Sequence, residues 1–97
     1  MKHFVLMYEF PADYFSRRSQ FRVAHLAHAH ASAERDELQL AGALVDEPLG
    51  LLLFKADSAA VAERFAQEDP YVKNGLVTSY RVREWTTVVG RDALTTV

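Results

Sequence analysis

Two short runs of this 97-residue chain are apolar on both of their alternating faces, and this limits the fold more than any other feature. From His3 to Glu9, Phe4, Leu6 and Tyr8 fall on one side of an extended chain, and His3, Val5 and Met7 on the other. Leu51 to Lys55 is a continuous apolar run of strand length. Such strands are central in a sheet and need cover on both sides. The intervening segments supply helices. From Asp13 to about Leu40 the chain has no Gly or Pro and abundant Ala, with a break expected near Gln20 to Val23. At about 100° per residue, Leu26, Ala29, Ala33 and Leu40 share one stripe, which is expected to face the sheet.

Gly42 is expected to stop this helix, Ala43 to Asp46 to form a second strand, and Glu47-Pro48-Leu49-Gly50 to turn the chain into the third. Asp57-Ser58 offers an N-cap for a helix from Ala59 to Glu68, with Val61 and Phe65 inward. Asp69 to Gly75 reads as one more helical turn, with Pro70 at its first position and Gly75 beyond its end. The last strand is expected from Val77 to Val89, Trp85 changing the phase of its alternation, and Gly90 to Val97 reads as a polar tail. The order β-α-β-β-α-β predicts an α+β, ferredoxin-like fold: one four-stranded antiparallel sheet with two helices on one face. Helices on one side leave the second apolar face bare, so a homodimer packed through its sheet faces is expected.

Composition removes several classes. With 49% hydrophobic residues and a net charge of −2, the chain is not disordered. No cysteine is present, so disulfides, thiolate metal sites and cysteine nucleophiles are excluded, and a reducing cytoplasm fits. The start, Met1 to Glu9, carries too short an apolar run for a signal peptide, and no stretch approaches the ~20 apolar residues of a membrane span. Arg17, Arg18 and Arg22 form the only local positive cluster, too little for a nucleic-acid surface. Phosphate loops, nucleophile elbows and dinucleotide fingerprints are missing, so no cofactor is expected.

His25 carries the first candidate chemistry. It lies near the start of the main helix beside the apolar stripe, where a half-buried imidazole can act as acid or base near neutrality. His28 and His30 are expected at the solvent. His25 and His28 share a helix flank at i, i+3, but no third ligand is evident, so no metal site is expected. Asp69 has two readings: a carboxylate disfavoured at the C-terminus of one helix, or the N-cap of the turn that Pro70 opens. Arg22 either holds a substrate carboxylate or pairs with a surface acid. Tyr8, Tyr71 and Trp85 either line an apolar pocket for a small-molecule ligand or pack in the core.

Arg22 to Ala27, Ala41 to Asp46, Glu68 to Leu76 and Val82 to Trp85, in this order and spacing, resemble the YCII-related family of small bacterial proteins, over residues 1 to about 90. The resemblance implies a domain over 1–90 with a tail over 91–97, and a dimeric α+β barrel in which two ferredoxin-like domains join sheets. It implies an active-site pair on His25 and Asp69, with Arg22 at a position where the family often has Arg. The chain departs by carrying Gly42-Ala43 in place of the usual Gly-Pro and Glu84 where Pro often precedes the Trp. Relatives of the fold perform isomerisation, dehydrohalogenation or cofactor-free oxidation of small ring compounds. The resemblance therefore points to a lyase or isomerase with a His acid–base. A non-catalytic metabolite-binding or accessory dimer is the alternative.

Overall fold

The computed structural model describes residues 1–95; the last two residues of the expected tail lie outside the described residues. Strand β1 (Lys2–Glu9) leads to a short helix α1 (Tyr14–Arg17), a 3-10 turn (Arg18–Gln20) and the main helix α2 (Arg22–Glu34). A hairpin of β2 (Leu38–Ala43) and β3 (Leu49–Ala56) follows, then α3 (Ala60–Glu68), the single turn α4 (Pro70–Lys73) and β4 (Ser79–Trp85). The sheet order is β2-β3-β1-β4 with every pairing antiparallel, the α+β ferredoxin-like arrangement expected from the element order. None of the described helices is long and apolar enough to cross a membrane.

The core lies between one sheet face and the helices. Phe4, Leu6 and Tyr8 of β1 and Leu52, Phe54 and Ala56 of β3 are buried against Ala62, Phe65 and Ala66 of α3 and Tyr71 of α4. Each large apolar side chain buried here stabilises the fold by roughly 1.5–3 kcal/mol, so this layer carries most of the stability. Among the described residues no helix covers the opposite sheet face. Its register sets Val5 between Leu53 and Arg83, and Met7 between Leu51 and Arg81. Leu40 at 73% and Trp85 at 52% exposure complete an apolar centre edged by arginines. His3, at the end of this face, is buried and hydrogen-bonded through Nδ1 to Thr87 Oγ1 at 2.7 Å. The chain after β4 turns back on Thr87, whose Oγ1 and carbonyl accept from the Leu94 and Thr95 N–H groups.

Three expectations are corrected. The main helix ends at Glu34, not at Gly42, because Asp36 adopts φ 61° and closes it: the Asp36 N–H bonds to Ala33 O and the Glu37 N–H to Ser32 O. This is a Schellman-type stop with Asp in the place usually taken by Gly. The chain so released pairs with β3 from Leu38, so β2 is Leu38–Ala43, and Leu44 to Pro48 form the connecting loop, with Val45 fully exposed. The inward stripe of α2 is also rotated. His25, His28, Ala29 and Ser32 face the interior, whereas Leu26 and Ala33 are exposed and Leu40 lies on the open sheet face. His28 is therefore half-buried rather than solvated: its Nε2–H donates to Phe65 O at 2.9 Å and its ring stacks on Phe65. Last, β4 ends at Trp85 without a change of phase; Trp85 pairs with His3 on the face that carries Arg81 and Arg83.

Candidate active site

The site is assembled around a break between two helices. After Glu68 the backbone at Asp69 becomes extended (φ −70°, ψ 124°) and Pro70 restarts the helix, so Asp69 is the N-cap of α4. Of the two sequence readings this one holds: Asp69 Oδ1 accepts from the Tyr71 N–H at 3.0 Å. The same oxygen accepts from His25 Nδ1–H at 2.8 Å, and Oδ2 accepts from the Tyr8 hydroxyl at 2.7 Å. Asp69 is 0% exposed, and three donors from β1, α2 and α4 converge on it. A buried carboxylate is sustainable only when its lone pairs are engaged in this way. A backbone N–H and a hydroxyl directed at a carboxylate can only donate, and the imidazole completes the set with its Nδ1 proton.

Tyr8 is fixed as a donor. Burial, then the charge of Asp69 and the hydrogen bond to it, push its hydroxyl far above the ordinary phenol range. His25 sits in the first turn of α2 with its ring 3.8 Å from that of Tyr71 and nearly parallel, at 4°. With Nδ1 engaged by Asp69, Nε2 is the ring nitrogen left to meet a ligand.

A cavity of about 240 Å³ opens beside this pair, between α2, the connection after β1 and the β2–β3 hairpin. His25, Tyr71, Tyr14 and Phe10 form aromatic walls, Leu52 lies at the base, and Arg18 and Arg22 stand at the rim. Phe10 stacks on Tyr14 at 3.9 Å, a position that Gly50 permits: a Cβ there would meet the tip of the Phe10 ring at 2.8 Å. The Tyr71 hydroxyl is buried and has no hydrogen-bond partner among the described residues. Burial, then Tyr14, raise its pKa, and the nearby guanidinium of Arg22 opposes the rise.

The fold thus brings together His25, Asp69, Tyr8, Tyr71 and Arg22. Trp85 does not join them, since it lies on the opposite face of the sheet. Among the described residues Arg22 has no ion-pair partner, so the surface-acid reading of Arg22 finds no acid. His25 and His28 direct a ring nitrogen to Asp69 and to Phe65 O respectively, and no cluster of three potential metal ligands occurs among the described residues. Phe10, Tyr14 and Arg18 also line the cavity, beyond the residues that the sequence points to. The signals for them were the aromatic pair flanking Pro11 and the positive cluster that precedes the main helix.

Fold and site together define a class: a ferredoxin-like α+β domain in which a buried carboxylate holds an imidazole at the wall of a small aromatic cavity. The chain belongs to the YCII-related domain family, whose model matches residues 1–86. Among solved structures it is similar to the 5-chloro-2-hydroxyhydroquinone dehydrochlorinase TftG of Burkholderia phenoliruptrix AC1100, in complex with 2,5-dihydroxybenzoquinone. That likeness has a TM-score of 0.76 at 21% identity and covers 89% of this chain and 95% of the other. Protein Atu4242 of Agrobacterium tumefaciens is also similar, with a TM-score of 0.59 at 8% identity over 97% of this chain and all of that one. At these identities the likeness is one of fold. No curated protein matches the chain.

Proposed function

We propose that this protein is a small, cofactor-independent acid–base enzyme of the lyase or isomerase type, in which His25 moves a proton on a small cyclic or acidic metabolite and Asp69 orients its ring. The observation that carries the reading is the 2.8 Å bond from His25 Nδ1–H to an Asp69 carboxylate that is 0% exposed. A carboxylate immobilised by Tyr8 and the Tyr71 N–H fixes the Nδ1–H tautomer and leaves the Nε2 lone pair at the cavity. Nε2 takes a proton from a carbon next to a ring carbonyl. Asp69 then balances the charge of the imidazolium, and the proton returns to another atom of the enolate or a leaving group departs. A base placed in this way contributes about 10²–10⁴-fold to the rate. That a dehydrochlorinase acting on a substituted hydroquinone shares the fold supports an elimination as one form of this chemistry.

The bare sheet face supports a further part of the reading: a second copy covers it, and Trp85 belongs to that contact rather than to the cavity. The catalytic reading is tested by NMR in deuterated water with a panel of small cyclic ketones, lactones and hydroxyquinones. The protein is expected to exchange or convert a member of the panel, and His25→Gln to slow this by about 10²–10⁴-fold. Saturable binding of a panel member with no exchange or conversion would replace the enzyme with a non-catalytic binding module.

A further inference from the structure

The cavity beside His25 is small, flat-walled and charged in one sense. Its volume of about 240 Å³ lies between the roughly 150 Å³ that accommodates a bare benzene ring and the roughly 300 Å³ where sites for drug-sized ligands begin. One substituted ring fits. The stacked Phe10–Tyr14 pair and Leu52 offer flat apolar surface to such a ring.

Charge narrows the choice. The chain carries a net charge of −2, yet among the described residues those lining this cavity include Arg18 and Arg22 and no carboxylate. Arg18 lies over the Phe15 ring at 4.9 Å, while Arg22 has no ion-pair partner among the described residues. The Tyr71 hydroxyl is the only buried side-chain polar atom without a partner among the described residues, and Tyr71, 2% exposed, lines the cavity together with Arg22. A buried hydroxyl that makes no hydrogen bond weakens the free protein, and a ligand oxygen that accepts from it removes the penalty.

We propose that this cavity takes a planar, single-ring organic anion, its charged oxygen seated between the Tyr71 hydroxyl and the Arg22 guanidinium. The proposal deepens the preceding reading and rests on this cavity being its substrate site. A ring carboxylate and an ionised hydroxyquinone share the required chemistry, a delocalised anionic oxygen in the plane of the ring. In either case the ring carbons lie against the His25 wall, and Arg22 offers the paired donors that a planar oxyanion prefers.

Calorimetric titration at neutral pH separates the possibilities, with benzoate against benzamide and 2,5-dihydroxybenzoquinone against hydroquinone as probes. At least one anion is expected to bind about 10-fold or more tightly than its neutral counterpart, and the bound class identifies carboxylate or enolate as the preferred oxygen. Arg22→Gln is expected to abolish the anion preference. Tyr71→Phe is expected to weaken the anion several-fold while leaving the melting temperature unchanged or higher, because the deleted hydroxyl has no partner in the free protein. A neutral probe bound as tightly as its anion, no saturation by either anion up to about 10 mM, or anion affinity unmoved in both variants would overturn the proposal. Binding is read without turnover, so a His25→Gln protein that keeps its anion preference sustains this proposal whatever the fate of the catalytic one. Turnover confined to neutral rings would sink it and leave proton transfer by His25 in place.

Discussion

Asp69 has no redundant neighbour: Tyr8, His25 and the Tyr71 N–H each satisfy a different part of one buried carboxylate. Tyr8→Phe removes a hydrogen bond to a charged acceptor and is expected to cost about 1.5–3 kcal/mol in urea denaturation. The same bond sets an alkaline limit. Because burial and Asp69 raise the Tyr8 pKa, the phenol ionises more readily in the unfolded chain than in the folded one. Its stabilising contribution is whole below the unfolded value near 10.0 and is lost as pH rises above it. Tyr71, also raised by burial, acts in the same direction. The melting temperature is therefore expected to fall above about pH 10, less steeply in Tyr8→Phe than in the parent. His25 and Asp69 were legible in the sequence, one from its place at a helix start and the other from the Asp-Pro signature. The choice between the two Asp69 readings was not, because it depends on the backbone ψ at that residue. The sequence puts His28 at the solvent because hydropathy counts an imidazole as polar, while here its ring packs on Phe65 and its N–H satisfies a carbonyl.

At the level of elements, the decisive event is where α2 stops. Asp36 holds a left-handed conformation, which Asp tolerates better than residues without a short polar side chain, and its carboxylate accepts from Lys55 Nζ at 2.7 Å on β3. Lys55 and Gln39 hold the Asp36 carboxyl below the ordinary carboxylate range. Asp36→Ala keeps the left-handed backbone and loses both partners, and is expected to lower the midpoint of chemical denaturation. Asp36→Gly should recover most of the loss. The sequence rule seeks a glycine at such a stop and found Gly42, which displaced the expected second strand toward the loop. The true cap carries no glycine, so β2 was legible as an element but not in its position. The sequence places Gly50 in a turn, yet it lies within β3, where its missing Cβ makes room for Phe10. Gly50→Ala is expected to push the Phe10 ring into the cavity and to weaken ligand binding more than stability, a difference that parallel titration and thermal melting would reveal.

For the whole molecule, the feature most plainly written in the sequence is the excess of apolar strand surface. The helices cover Phe4, Leu6, Leu52 and Phe54, and the residues between them in sequence, Val5, Met7, Leu51 and Leu53, form the opposite face. An apolar patch bordered by Arg81 and Arg83 fits a self-complementary contact, and from it we infer the homodimer. Light scattering at micromolar concentration is expected to give twice the chain mass of 11.0 kDa, and Leu51→Glu to return the protein to the monomer mass. What the sequence could not place was the cavity, because its walls come from the connection after β1, the start of α2, the hairpin and α4, which only the folded chain brings together.

The central claim is that Asp69 presents the Nε2 lone pair of His25 to that cavity, and the protonation state of one imidazole tests it. Long-range proton–nitrogen NMR at neutral pH is expected to find the neutral His25 ring protonated at Nδ1 and bare at Nε2, and Asp69→Asn to shift that balance. A ring carrying its proton on Nε2, or one indifferent to Asp69→Asn, would contradict the account.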